Sequence, residues 1–77
     1  MTITEAKDYL ANLIGHITFC YNGYNCGIDP LAVDEFNMWY GDNEIIVNSV
    51  GKVISINFFD GKSLNEIWGD ITELDFY

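Results

Sequence analysis

Asn22 and Gly23 lie between two segments, residues 17–21 and the residues from Tyr24 on, in which apolar and polar side chains alternate. An Asn-Gly pair in this position is typical of a two-residue type I′ turn, because both central residues of that turn need a positive φ. We therefore predict a β-hairpin over residues 16–28, with the two cysteines of the chain on opposite faces. The predicted register pairs Tyr21 with Tyr24, Cys20 with Asn25, and Phe19 with Cys26.

Two segments carry a capping box, in which a hydroxyl and a carboxylate three residues apart each accept a hydrogen bond from a free backbone N–H. Thr2 with Glu5 precedes apolar residues at helical spacing and predicts a helix over residues 3–14. Ser63 with Glu66 predicts a C-terminal helix. The apolar stripe of this second helix consists of Leu64, Ile67, Trp68, Ile71 and Leu74.

The middle of the chain alternates between strands and turns. Because proline has no N–H to donate, we expect Asp29-Pro30 to end the second strand of the hairpin and to begin a connection. Residues 36–40 and 44–47 alternate as strands do, around a turn at residues 41–43.

Residues 49–57 fit two structures. A cap at Ser49 favours one turn of helix, whereas Ile54, Ile56 and Phe58 alternate as in a strand. We favour the helix.

These elements predict an α+β protein with a single domain over residues 1–77. Its antiparallel sheet has three or four strands, and the N- and C-terminal helices pack on one face. Ordering 77 residues costs about 115 kcal/mol at roughly 1.5 kcal/mol per residue, so most apolar side chains are needed in the core. A deep catalytic pocket would be hard to form from the remainder, and we expect a protein that is not an enzyme and acts through its surface.

The charge of the chain is strongly one-sided. Twelve aspartates and glutamates oppose three lysines and no arginine, which gives a net charge of -9 at pH 7. Binding to nucleic acid depends on lysine and arginine, so we exclude it and expect a basic protein as the partner. Apolar stretches are too short to cross a membrane, and the start of the chain lacks the basic segment of a signal peptide, so we expect a cytoplasmic location.

Two groups of acidic residues are candidates for the binding surface. On the predicted C-terminal helix Glu66, Asp70 and Glu73 are spaced to lie on one face, and Asp75 follows them. The second group lies in and around the middle strands: Asp34, Glu35, Asp42 and Glu44. Aromatic residues are candidate anchors of a protein interface: Tyr24, Trp39 and Tyr40. A solvated face is the alternative explanation of the acids, and cross-strand packing that of the aromatic residues.

Zinc could be considered at His16, Cys20 and Cys26, with Asp29 as a fourth ligand. The predicted hairpin directs the two cysteines apart, so we expect two free thiols, no metal and no cofactor. A catalytic cysteine would need positive charge nearby to stabilise its thiolate, which this acidic chain does not offer.

Three segments share a pattern with other proteins: CGIDP at 26–30, FNMWYGD at 36–42 and FFDGKSLNEI at 58–67. They resemble small uncharacterised proteins of low-GC Gram-positive bacteria and their mobile elements. The resemblance implies a source and no established activity. A mobile-element protein of this size and charge is similar to small inhibitors that disable host defence.

Two functions follow as hypotheses. The first is an inhibitor of the DNA-mimic type, anti-CRISPR or anti-restriction, whose acidic surface occupies the basic nucleic-acid-binding site of a host defence protein. The second is an interaction module of antitoxin or immunity type, anchored by exposed aromatic residues. Charge-led binding weakens steeply as salt rises, whereas aromatic-anchored binding changes little.

Overall fold

One antiparallel sheet of five strands organises the chain in a computed structural model that describes residues 2–77. The strands are β1 (Ile17–Tyr21), β2 (Tyr24–Ala32), β3 (Glu35–Tyr40), β4 (Asn43–Val47) and β5 (Thr72–Phe76). Their order across the sheet is β4-β3-β2-β1-β5, so the first four form a meander and the last pairs with the first. The predicted α+β class is confirmed, but the sheet has five strands where we expected three or four.

The β1–β2 hairpin has the predicted register, including all three predicted pairs. Asn22 and Gly23 have φ values of 55° and 81°, as the type I′ turn requires. Cys20 and Cys26 therefore lie on opposite faces of the sheet, and both thiols are free.

β2 continues through Pro30 to Ala32, so the prediction that Asp29-Pro30 ends this strand is wrong. The pairing of β2 with β1 stops at Ile28. Residues beside a two-residue turn exchange both hydrogen bonds, so the N–H of Tyr24 and of every second residue after it points toward β1. Position 30 belongs to this set and has no β1 residue opposite it. Proline therefore removes no hydrogen bond from the ladder.

The first helix, α1 (Ile3–Ala11), begins at the predicted capping box of Thr2 and Glu5. The hydrogen bonds that the Glu5 carboxylate accepts from Thr2 lower the pKa of Glu5. The helix ends at Ala11, three residues before the predicted end at position 14, because Leu13 has a left-handed φ of 54° that the helical conformation does not allow.

The second helix, α2 (Val50–Ser55), confirms the favoured prediction for this segment. The Ser49 hydroxyl accepts a hydrogen bond from the Lys52 N–H at 3.1 Å and caps the helix.

The predicted C-terminal helix is much shorter than expected. α3 (Leu64–Ile67) begins at the predicted capping box of Ser63 and Glu66, and a 3-10 turn, Trp68–Asp70, ends it. The following residues form β5, which pairs with β1. Without β5, the outer edge of β1 would expose a row of unpaired N–H and C=O groups. Pairing with this edge is therefore more favourable for residues 72–76 than continuing a helix that Gly69 already weakens.

All three helices contribute side chains to a single core on one face of the sheet. Ala6 and Leu10 of α1, Val53 of α2, and Leu64 and Ile67 of α3 are buried there with the inward residues of the strands. We call the opposite side of the sheet the open face. Among residues 2–77, no helix has the length and apolar composition that a membrane span requires.

Candidate functional site

The open face carries every second side chain of the strands, as the pairing registers define. Five of these side chains are carboxylates, and none is a lysine, since the lysines lie in α1, in α2 and just before α3. Lys52 comes nearest, at the β4 edge, where it lines a groove with Asp34 and Glu35. The carboxylates of the open face are Asp29, Glu35, Glu44, Glu73 and Asp75.

A row of directly paired residues crosses all five strands of this face. The residue at each end of the row carries a carboxylate, and the middle residue is a glycine that is covered by the indole ring of the neighbouring tryptophan. In order from β4 to β5, the row consists of Glu44, Trp39, Gly27, Thr18 and Asp75.

Trp39 lies directly against the backbone of β2 at Gly27. A Cβ added at position 27 would be 2.1 Å from Trp39 Cζ2 and 2.5 Å from Trp39 Cη2, which is closer than any Cβ contact allows. Glycine is therefore required here by the close approach of the indole, and the half-buried ring is held in the middle of the face.

A groove of about 420 Å³ runs beside Trp39 toward β5. We call it the Trp39 groove; the open-face residues that line it are Thr18, Cys20, Asn25, Trp39, Glu73 and Asp75, and the core residues Phe19 and Cys26 also border it. Two of the six open-face residues are carboxylates, and both belong to β5.

Glu73 enters the groove through a β-bulge. The β1–β5 register shifts between Thr18 and Cys20, and Glu73 takes a left-handed φ of 53° at this point. The bulge brings Glu73 Oε2 within 2.9 Å of Cys20 Sγ, which donates a hydrogen bond to it. This bond holds the proton on sulfur and raises the pKa of the Cys20 thiol.

The other end of the open face is partly apolar. Leu31 and Ile46 are 52% and 61% exposed and border a third groove, of about 380 Å³. Glu44 lines the same groove and accepts a hydrogen bond from Asn37 Nδ2 at 3.1 Å. The face thus has two carboxylates on β5, beside the Trp39 groove, and three more on the β2–β4 part of the sheet, which carries the exposed aliphatic side chains: Asp29, Glu35 and Glu44.

The structure separates the first group of predicted acidic residues. Glu66 is in α3, where its carboxylate accepts hydrogen bonds from Ser63 that lower its pKa, and Asp70 is in the 3-10 turn. Glu73 and Asp75 are in β5, on the open face. The predicted row of acids on one helix face is therefore wrong, because the helix stops before Glu73.

The second group is divided as well. Glu35 and Glu44 project from the open face, whereas Asp34 and Asp42 lie in the turns at opposite ends of β3. Asp29 was missed as a member of the face. Continuing the alternation of β2 past Ile28 would have placed it there.

The three aromatic candidates do not form one patch. Trp39 lies on the open face, whereas Tyr24 and Tyr40 lie on the core side of the sheet, with ring centroids 5.0 Å apart. Tyr40 also packs against Phe59 at 6.1 Å, so cross-strand and core packing explains it. Trp39 alone is placed to contact a partner of the open face.

The possible zinc ligands do not converge. The His16 ring stacks on Tyr77 at 4.5 Å, Cys20 contacts Glu73, and Cys26 is buried on the core side, where burial raises the pKa of its thiol to about 11. Within residues 2–77, no group of three His, Cys, Asp or Glu side chains has the arrangement of a metal site.

The open face therefore offers hydrogen-bond acceptors, negative charge and one aromatic ring, a combination suited to binding a positively charged surface. Protein-family models, curated proteins and solved structures give no match to this chain, and its function is inferred from the geometry of this face.

Proposed function

We propose that this protein is a non-enzymatic binding protein whose open face binds a basic protein at the surface where that partner binds nucleic acid. The observation that carries the proposal is the placement of the lysines: the side of the sheet that carries no helix has five of the twelve carboxylates, and all three lysines lie outside it. In the context of a mobile element, such a protein acts as an inhibitor of a host defence protein, of the anti-CRISPR or anti-restriction type.

The dimensions of the face support this proposal. Strands in a sheet are about 4.8 Å apart, so Glu44 on β4 and Asp75 on β5 are separated by four spacings, or about 19 Å at the backbone. A single strand in duplex DNA presents several phosphates over that length, at about 3.4 Å of helix axis each. The face is therefore large enough to replace several phosphate contacts at once.

The absence of lysine from the face supports the proposal energetically. Glu35 borders a groove with Lys52, but no strand of the sheet carries a lysine. The charges of the carboxylates on this face sum to a field that reaches beyond direct contact and accelerates association with a basic surface. A basic partner would also relieve the mutual repulsion of these carboxylates, so binding gains from both sides of the interface.

The test uses two variants with the same net charge. The open-face variant carries Glu44→Gln, Glu73→Gln and Asp75→Asn, and the control variant carries Asp8→Asn, Asp60→Asn and Asp70→Asn, all outside the sheet. Each is titrated into a panel of purified bacterial RNA-guided and restriction nucleases bound to fluorescent duplex DNA, at about 50 mM salt.

We expect the wild-type protein and the control variant to release DNA from at least one nuclease, and the open-face variant to need at least about tenfold more protein. Ten-fold corresponds to about 1.4 kcal/mol, a modest loss for three charged contacts. Equal potency of the two variants, or DNA that stays bound to every nuclease, would contradict the proposal.

Exposed Leu31 and Ile46 favour a second candidate, an interaction module of antitoxin or immunity type. In that case Trp39 and the two aliphatic side chains supply most of the binding energy and the carboxylates form a rim. Raising salt from about 50 to 200 mM separates the two, since only charge-led binding weakens steeply.

A further inference from the structure

We infer that the Trp39 groove binds the guanidinium group of an arginine on the partner protein. This inference rests on the proposed function, because it names the chemistry of one contact between the open face and that partner. The groove offers a flat aromatic ring on one wall and two carboxylates, Glu73 and Asp75, on the other.

The aromatic wall is held in place by its surroundings. Trp39 is pressed onto Gly27, where even a methyl group would collide with it, so the ring cannot settle closer to the sheet. A cation stacked on an indole gains about 0.5–1 kcal/mol at an exposed site, and the gain needs a ring whose face stays accessible.

The carboxylate wall is positioned by the bulge in β5. Glu73 is turned toward Cys20 by its left-handed φ of 53°, and its Oε2 accepts the thiol hydrogen bond at 2.9 Å. This leaves the other oxygen of the carboxylate, which lines the groove, as its acceptor for a ligand. Asp75 Oδ2 accepts a hydrogen bond from the Tyr77 hydroxyl at 3.5 Å, which leaves Oδ1 of Asp75 as its acceptor for a ligand. Asn25 adds an amide oxygen, 3.5 Å from the same sulfur.

Arginine fits this lining better than lysine does. Its planar guanidinium stacks on an aromatic ring and donates several hydrogen bonds in the plane, so it can contact the indole and a carboxylate together. An ammonium group is a compact, strongly hydrated charge that gains less from a flat wall. Phosphate or a nucleotide is disfavoured by the two carboxylates.

The test is an NMR titration of the whole protein with three small probes: N-acetyl-arginine amide, its neutral isostere N-acetyl-citrulline amide, and N-acetyl-lysine amide. The signals followed are the indole N–H of Trp39, assigned with a Trp68→Phe variant, and the backbone amides of Thr18, Cys20 and Asn25. A probe with one side chain is expected to bind in the millimolar range.

We expect arginine amide to bind roughly three-fold more tightly than lysine amide, as the cation–π gain implies, and citrulline amide to cause no saturable shift. Glu73→Gln is expected to weaken arginine binding at least three-fold. Glu44→Gln is the matched control, because Glu44 also neighbours Trp39 in the row but lies outside the groove, and it should change binding less than two-fold. These factors correspond to the loss of one charged contact.

Equal binding of arginine and lysine amides, or equal effects of Glu73→Gln and Glu44→Gln, would overturn the inference and leave only a diffuse acidic field. The failure of this inference can be distinguished from the failure of the proposed function. If the NMR titration contradicts arginine binding in the Trp39 groove, but the open-face variant loses DNA release and the control variant does not, the proposed function stands. If arginine amide binds in the groove but the wild-type protein releases DNA from no nuclease, the inference stands and the proposed function is contradicted.

Discussion

The two faces of the sheet are made from the same strands and differ in almost every physical property. On the covered face, Phe36 and Met38 of β3 are 1% and 0% exposed and pack beneath the helices, whereas Asn37, between them, points to the open face. The covered face supplies the apolar burial that a chain of 77 residues needs. The covered face therefore supplies the stability of the fold, and the open face supplies the surface for recognition. Substitutions on one face are expected to change one of these properties and not the other.

The largest expected effect separates the faces by stability. Phe36→Ala should lower the free energy of unfolding by about 3–5 kcal/mol, because it leaves a cavity in the core, whereas Asn37→Ala should stay within about 0.5 kcal/mol of the wild type. Chemical denaturation followed by circular dichroism measures both. A loss above about 2 kcal/mol for Asn37→Ala would mean that the open face also carries the fold.

A smaller loss of stability is expected from a substitution in β2, whose backbone contacts the Trp39 ring on the open face. Gly27→Ala places a methyl group where the Trp39 ring lies, and forcing the ring away should cost about 1–3 kcal/mol. The indole signal of Trp39 should shift at the same time.

Gly69→Ala is the control for this substitution. A Cβ at position 69 meets no atom within 4 Å, and the 3-10 turn there does not need a positive φ. The change should stabilise the protein by about 0.4–1 kcal/mol. If both alanine variants behave alike, the close packing of Trp39 on Gly27 is refuted.

The smallest effect concerns charge in the absence of a partner. At low salt the open-face variant with Glu44→Gln, Glu73→Gln and Asp75→Asn should be more stable than the wild type by about 1 kcal/mol, since each like-charge contact costs about 0.2–0.5 kcal/mol. The control variant with Asp8→Asn, Asp60→Asn and Asp70→Asn removes acids on the side of the molecule that holds the lysines, so it should gain less.

Thermal unfolding at about 10 mM and 1 M salt measures this difference, because the Debye length falls from about 30 to 3 Å between these conditions. The gap between the two variants should close at high salt. A gap of the same size at 1 M salt would show that packing or hydrogen bonding, and not repulsion across the open face, sets it.

Local signals in the sequence were sufficient for much of the fold. The turn at Asn22-Gly23 and the caps at Thr2, Ser49 and Ser63 each depend on residues within three positions, and all four were placed correctly. These features are predictable because a backbone conformation or a free N–H demands one particular residue type nearby.

The segment after Gly69 depends on something distant, and there the prediction failed. The position of Leu74 fits the apolar stripe of a helix, but it also fits the alternation of a strand. This segment forms a strand because it pairs with the free edge of β1, more than fifty residues earlier in the chain. For the same reason, the predicted binding residues were only partly those of the open face. Glu73 and Asp75 were named as the end of a helix and the residue that follows it, but the helix ends at Ile67 and both lie in β5. Asp29 was missed because Pro30 was expected to end β2.

β5 has a consequence for how the chain matures. The meander of β1–β4 joins neighbours in sequence and can assemble through short loops, but β5 must close a loop that includes all of the meander and two helices. The open face lacks Glu73 and Asp75, two of its five carboxylates, until that closure. A chain truncated or held before β5 would retain most of its hydrophobic interior and have only part of its recognition surface, so folding and competence to bind would be acquired at different moments.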